Sequence, residues 1–177
     1  MNVLGIIATP GLANPTDEMK GVLKRCLTRA QARSRQQCEP TLDTKIEYIS
    51  KMSEATLTAG SLREAKGVIL ICKPLDLNWV SGLGHKLKEL DRDGAYNLRG
   101  KWFGLIICGE NDPWKIEGSA QRVLYEFNTA GMTPLPQALA HLRTQESRGH
   151  LRLGVYLADM LASQSEWTGR AEQKQVA

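Results

Sequence analysis

Short uninterrupted apolar runs alternate along this chain with longer stretches whose apolar residues recur every three or four positions. Val3 to Ala8, Gly67 to Cys72 and Trp102 to Cys108 have the length and composition of strands buried on both faces. Thr44 to Ile49 alternates enough for a further strand. Met132 to Pro136 reads as a short edge strand, because its two prolines cannot donate to a ladder.

The intervening stretches predict helices. Met19, Val22, Leu23, Cys26, Leu27 and Ala30 form one buried stripe, preceded by Thr16-Asp17-Glu18, whose acids suit a helix N-terminus. Ser61 to Lys66 predicts a short helix. Val80 to Arg92 predicts a longer one with Leu83, Leu87 and Leu90 inward. Ser119 to Ala130 places Ala120, Val123, Leu124 and Phe127 inward and ends at Gly131. Glu146 to Ala162 predicts the last helix, and the polar residues 163–177 read as a tail. That helix carries two apolar stripes, Leu151-Val155-Ala158-Ala162 and Leu153-Leu157-Met160-Leu161; one covers the sheet and the other is expected to bury against another subunit.

Strictly alternating strands and helices imply an α/β domain over residues 1–162: a doubly wound, three-layer arrangement with a sheet of five parallel strands. In such sheets ligands bind beyond the carboxyl ends of the strands, so loops 9–16, 73–80 and 108–118 are the ones to inspect.

Composition narrows the function classes. The chain has 177 residues, 42% hydrophobic and 24% charged, which fits one globular core and excludes a disordered chain or a coiled coil. No apolar run approaches the roughly 20 residues a membrane-spanning helix needs. The N-terminal run lacks a basic lead and reads as a strand, so a cytoplasmic protein is expected. The net charge is +4, yet residues 20–35 alone hold Lys20, Lys24, Arg25, Arg29, Arg33 and Arg35 with no acid, so the remainder is slightly acidic. A solvated helix face is the ordinary reading of that segment, and no nucleic-acid partner is expected. Cys26, Cys38, Cys72 and Cys108 form no C-x-x-C pair, and with His85, His141 and His150 they complete no zinc pattern.

Obligatory residues of several doubly wound families are missing. The first strand runs into Thr9-Pro10-Gly11-Leu12-Ala13, not G-x-G-x-x-G, and no G-x-x-x-x-G-K-[ST] occurs. Ile7 and Ala8 stand where a receiver domain needs acids, and Trp79 breaks a nucleophile elbow around Ser81.

Three stretches carry a resemblance. The first is Val3 to Thr9-Pro10 and on to Thr16. The second is Ala65 to Lys73-Pro74, then Val80-Ser81-Gly82 and Asp91-Arg92. The third is Leu98-Arg99-Gly100-Lys101, the strand to Cys108-Gly109, and Ala130-Gly131-Met132. In their order and spacing they resemble the flavodoxin-like superfamily, especially its NAD(P)H-dependent FMN reductase and quinone reductase branch, with a divergent phosphate loop. The resemblance spans roughly residues 3–136. It implies strand order 2-1-3-4-5, FMN as cofactor, NAD(P)H as donor, a quinone, flavin or similar small-molecule acceptor, and a homodimer or higher oligomer without membrane attachment. It places the cofactor on Thr9, Pro10, Gly11, Asn14 and Thr16 at the phosphate, on Pro74, Leu75, Asp76, Leu77, Asn78 and Trp79 at the ring face, and on Cys108, Gly109 and Glu110 at the ring's polar edge. The flavin would carry the chemistry, so no catalytic side chain is assigned. A redox role for Cys72 and Cys108, which end neighbouring strands, is a lesser expectation beside small buried packing residues.

A second reading comes from the same loops. Pro15 removes an N–H where a phosphate would sit, and Asp76 and Glu110 add negative charge beside an anionic cofactor. The chain would then be a non-catalytic flavodoxin-fold binding module whose basic first helix engages a partner. A different nucleotide or nucleoside enzyme on the same architecture is the third reading, and no acid–base pair in the loops recommends it.

Overall fold

The computed structural model describes residues 1–11, 16–37, 41–109, 113–142 and 148–175, with the side chains of 57, 113–115 and 165–175 outside the description. Asn14, Pro15, Cys38 and Glu110 lie outside the described residues.

The strands are β1 (Asn2–Ala8), β2 (Asp43–Ile49), β3 (Gly67–Cys72), β4 (Trp102–Cys108) and β5 (Thr133–Leu142). All pair in parallel, in the order β2-β1-β3-β4-β5. The helices are α1 (Asp17–Gln36), α2 (Ala55–Glu64), α3 (Leu77–Leu90), α4 (Pro113–Thr129) and α5 (Gly149–Gln175).

β3 is buried at every position, and β1 and β4 at all but the first, because helices cover both sheet faces. On one face Val3, Ile7, Ile69, Ile71 and Ile106 pack under α1 and α5. On the other, Leu4, Ile6, Val68, Leu70, Phe103 and Leu105 pack under α2, α3 and α4. There Phe103 and Phe127 stack with centroids 4.3 Å apart. Burying such side chains is worth about 1.5–3 kcal/mol each, which is why unbroken apolar runs commit to the central strands.

α1 buries the stripe its spacing predicts, with Ser34 added at the far end. Its close neighbour is α5: a Cβ at Gly154 would collide with the Cys26 carbonyl oxygen. Further along, Asp159 Oδ1 accepts from Arg33 Nε at 2.8 Å and Gln37 Nε2 at 2.8 Å.

Several boundaries differ from the sequence expectation. α2 occupies Ala55–Glu64, ahead of the expected Ser61–Lys66, because the small residues Ala55 and Ala59 pack inward with Leu62. α3 starts at Leu77, since a 3-10 turn over Pro74–Asp76 feeds directly into it. α4 begins at Pro113, and proline at a helix start loses no helical bond. β5 does not stop at Pro136 but runs to Leu142. Its register against β4 slips between Phe103 and Leu105, and Gln137 sits at φ 53°, so a bulge absorbs the prolines and pairing resumes. α5 continues beyond Ala162 to Gln175.

Among the described residues no helix is long and apolar enough to cross a membrane.

Candidate functional site

The chain leaves β1 toward β2 on one side and returns to β3 on the other, so the strand order reverses between β1 and β3. That switch point is where doubly wound sheets bind ligands. The ends of β1, β3 and β4 lie side by side at this carboxyl edge.

The β1 loop begins with Thr9, which is buried at 1% exposure and whose N–H extends the ladder to Ile49 O at 3.0 Å. Pro10 is half-buried, and Gly11 is exposed with φ 74°, a conformation that favours glycine. Thr16 caps α1: its Oγ1 accepts the Met19 N–H at 3.4 Å, and the residue is exposed. A helix N-terminus here presents free N–H groups and a positive dipole end. Asp17 and Glu18 already answer that dipole, and Asp17 lies 3.5 Å from Lys20 Nζ.

The β3 loop starts at Lys73 and forms the 3-10 turn Pro74–Asp76. Leu75 stands out at its tip with 89% exposure. Asp76 is half-buried, and that burial raises its carboxyl from its ordinary value despite the Lys73 backbone N–H and the Lys73 charge nearby. Leu77 is buried as the first residue of α3 and Asn78 is exposed. Trp79 is half-buried against the same core cluster as Met52, so its ring packs alongside its own helix layer.

The β4 loop opens with Gly109 at φ 147°. A Cβ there would lie 3.1 Å from Pro74 Cδ, so glycine lets the β3 and β4 loops touch. Gly109 N–H donates to Leu142 O at 3.1 Å, and its carbonyl lies 3.2 Å from His141 Nε2.

Thr9, Thr16, Pro74, Asp76 and Gly109 are therefore all placed at the carboxyl edge, with Pro74 and Gly109 in direct apposition. Trp79 and Leu77 turn inward instead. Cys72 and Cys108 end adjacent strands but belong to opposite face clusters. Burial pushes the Cys108 thiol up to about 12 and the Cys72 thiol higher still. Both stay protonated at neutral pH, as small buried residues do.

Sequence reading missed His141 and the loop after β2. His141 lies in the half of β5 beyond Pro136; the signal was there in the alternation of Ala138, Ala140 and Leu142. After β2, Glu54 Oε2 accepts the N–H groups of Ser50 at 2.7 Å and Lys51 at 3.2 Å, which lowers its carboxyl. This fixes the rim of the edge beside β1.

Two clefts open at the opposite, amino end. One, of 220 Å³, is lined by Val3, Lys45, Ser61 and Glu64 among others. The other, of 440 Å³, holds His85, Lys88, Arg92 and Arg99 beside the ends of α3 and α4. Lys88, Arg92 and Arg99 stand there with the acids Glu89 and Asp91, near the negative ends of two helix dipoles. No cluster of metal-ligating side chains occurs among the described residues.

A doubly wound sheet in this order, with helices on both faces, is the flavodoxin-like fold. Solved structures agree. The chain is similar to an oxidoreductase from Corynebacterium diphtheriae (TM-score 0.62, 11% identity, 92% of this chain and 98% of that one). It is similar to RosB with a bound 8-demethyl-8-formylriboflavin-5'-phosphate intermediate (TM-score 0.59, 14% identity, 99% and 87%). It is also similar to a flavodoxin of Streptococcus pneumoniae TIGR4 (TM-score 0.54, 16% identity, 93% and 99%). No protein-family model and no curated protein sequence matches the chain.

Proposed function

We propose that this protein binds FMN at the carboxyl edge and works as an oxidoreductase, taking a hydride from NAD(P)H and passing electrons to a quinone, flavin or similar acceptor. The carrying observation is the β1/β3 switch point at the carboxyl edge, with Pro74 of the β3 loop close against Gly109 at the end of β4. The structural neighbours that bind or are named for flavin chemistry support the same reading.

In this reading the α1 N-terminus beside Thr16 holds the phosphate, since the first N–H groups of a helix have no intrahelical carbonyl partner and carry the positive end of its dipole. The turn Pro74–Asp76 flanks the ring, with exposed Leu75 as its apolar cover. Gly109 leaves room for backbone donors at the polar edge. The flavin supplies the hydride chemistry when bound, and the protein tunes it by charge and exclusion of water. As assembly we propose a homodimer. Sedimentation at micromolar concentration as a monomer would remove this part.

The test is a visible spectrum after incubation with FMN and desalting. A retained flavin spectrum, bleached by NADPH or NADH, is expected. A colourless protein that also fails to quench FMN fluorescence overturns the reading.

One set of contacts favours the binding-module alternative. The Thr16 hydroxyl caps its own helix, the Thr9 N–H is spent on Ile49, Asp17 and Glu18 put negative charge at the phosphate position, and Asp76 adds one in the β3 loop. A colourless protein would make this the standing reading.

A further inference from the structure

The basic residues of α1 do not act alone in space. α5 lies beside α1 on the same sheet face, and the closest approach is Gly154 against Cys26 and Ala30. Arg152 therefore stands at the level of Lys24 to Thr28, with Arg148 before it, nearer the carboxyl edge. Lys24, Arg25, Arg29, Arg35, Arg148 and Arg152 are all exposed. Two other bases of the layer are matched, Arg33 by Asp159 at 2.8 Å and Lys20 by Asp17 at 3.5 Å.

The charge is confined to this layer. Residues 17–36 hold six bases and two acids, and residues 148–164 hold two bases and one acid, a total of +5. The whole chain is +4, so everything else comes to −1. A charge distribution this lopsided orients an oppositely charged partner before contact. Its location matters too. α1 and α5 both start at the carboxyl edge, so Lys24, Arg25, Arg148 and Arg152 border the candidate site; Cys108 at that edge feels the charges of Glu18 and Arg25.

The face also lacks an apolar anchor. Among the described residues the exposed large hydrophobics are Tyr48, Leu75 and Tyr125, on β2, the β3 loop and α4. Stable protein interfaces centre on buried aromatic or aliphatic hot spots, whereas transient redox encounters are small, polar and steered by charge. Nucleic acid is the rival occupant. Single strands call for stacking aromatics, and base readout calls for an element that enters a groove; among the described residues this helical layer offers neither an exposed aromatic nor an inserted element.

We propose that the outer face of the α1–α5 layer is the docking surface for an acidic protein, met transiently and oriented toward the carboxyl-edge site. The orientation rests on the proposed function; the docking does not.

The probe is cytochrome c whose lysines have been succinylated, which makes it acidic, with native basic cytochrome c as its counterpart. Binding to the protein without added flavin is measured by sedimentation or thermophoresis, so a failed cofactor reading leaves the result interpretable. The acidic form is expected to bind, weakening about tenfold or more between about 20 mM and about 200 mM salt, and the basic form to show no binding. The triple variant Lys24→Glu, Arg25→Glu, Arg152→Glu should lose this binding. The triple variant Lys88→Glu, Arg92→Glu, Arg99→Glu makes the same charge change on the far side and should keep most of it. Far-ultraviolet circular dichroism checks that both fold. Absence of salt-dependent binding overturns the proposal. So do equal losses in the two variants, which would mean net charge alone. Tighter binding of oligothymidylate or duplex DNA through the same three residues would make this a nucleic-acid surface and overturn it as well.

Discussion

At the scale of single residues, two positions carry opposite lessons. Asp76 puts a carboxyl at the candidate site that burial raises from its ordinary value. A burial-raised acid contributes stability below its unfolded pKa and loses it as pH rises through the folded pKa, because ionisation is what burial penalises. The same sign governs an anionic ligand: protonating Asp76 removes a repulsive charge. FMN affinity should therefore rise as pH falls through the carboxylate range. Asp76→Asn should bind FMN roughly fivefold tighter at neutral pH, on the order of 1 kcal/mol for one charge at a partly solvated site, and without that pH dependence. Fluorescence titration of both proteins across pH reads this, and parallel pH profiles would contradict it. Gly154 concerns packing instead. Its missing Cβ lets α5 reach the α1 backbone at Cys26, and a backbone atom cannot rotate away. Gly154→Ala should cost about 1–3 kcal/mol in urea unfolding, as overpacking does.

At the scale of elements, what could be read ahead followed burial. β3 and β4 are apolar throughout and helices cover both faces, so their sequence and their place in the core say the same thing. The α1 stripe is equally plain, and Thr16 is the cap its position implied. Elements that solve a local problem by other means were hidden. β5 passes its prolines through a bulge at Gln137, so its second half and His141 escaped notice. α2 packs through alanines that carry little pattern. The site was legible as three loops but not as contacts, since Pro74 against Gly109 depends on backbone geometry. Two of the residues that gave the resemblance, Asp91 and Lys101, prove to be joints at the amino end. Lys101 is buried there, and its Nζ donates to Ala65 O at 2.6 Å and Arg63 O at 3.1 Å, closing the end of α2. Asp91 accepts the N–H groups of Tyr96 at 2.7 Å and Leu98 at 3.0 Å, shaping the turn after α3. Lys101→Met would leave both carbonyls without their buried donor. It should lower stability by about 1–3 kcal/mol while leaving FMN affinity unchanged, since the lysine is at the far end from the site. A matching loss of FMN affinity in the folded protein would show the two ends to be coupled.

At the scale of the molecule, the two ends of the sheet differ in kind. The amino end is tied by Lys101, Asp91 and the Gly100–Gly131 bond at 3.1 Å, all of them side-chain or strand-like links. At the carboxyl end, the β3 loop has neither Lys73 nor Asp76 capping a helix through its side chain, and Leu75 projects into solvent. Few buried contacts and exposed backbone hydrogen bonds mean a low free energy of local opening. Amide hydrogen exchange should therefore rank the chain by position. β1, β3 and β4 should exchange only on global unfolding, because both their faces are covered. β2 should exchange sooner, as an edge strand whose only fully buried residue is Ile49. The amides of Lys73, Leu75 and Asp76 should exchange first among the ordered parts of the core layers, by local opening. FMN should then slow exchange at 73–76 and 109 and leave 91–101 as it was, since a ligand protects what it holds closed. Loops at the carboxyl edge that are already as slow as the central strands would show a site closed by the fold alone, and FMN would then have nothing left to order there.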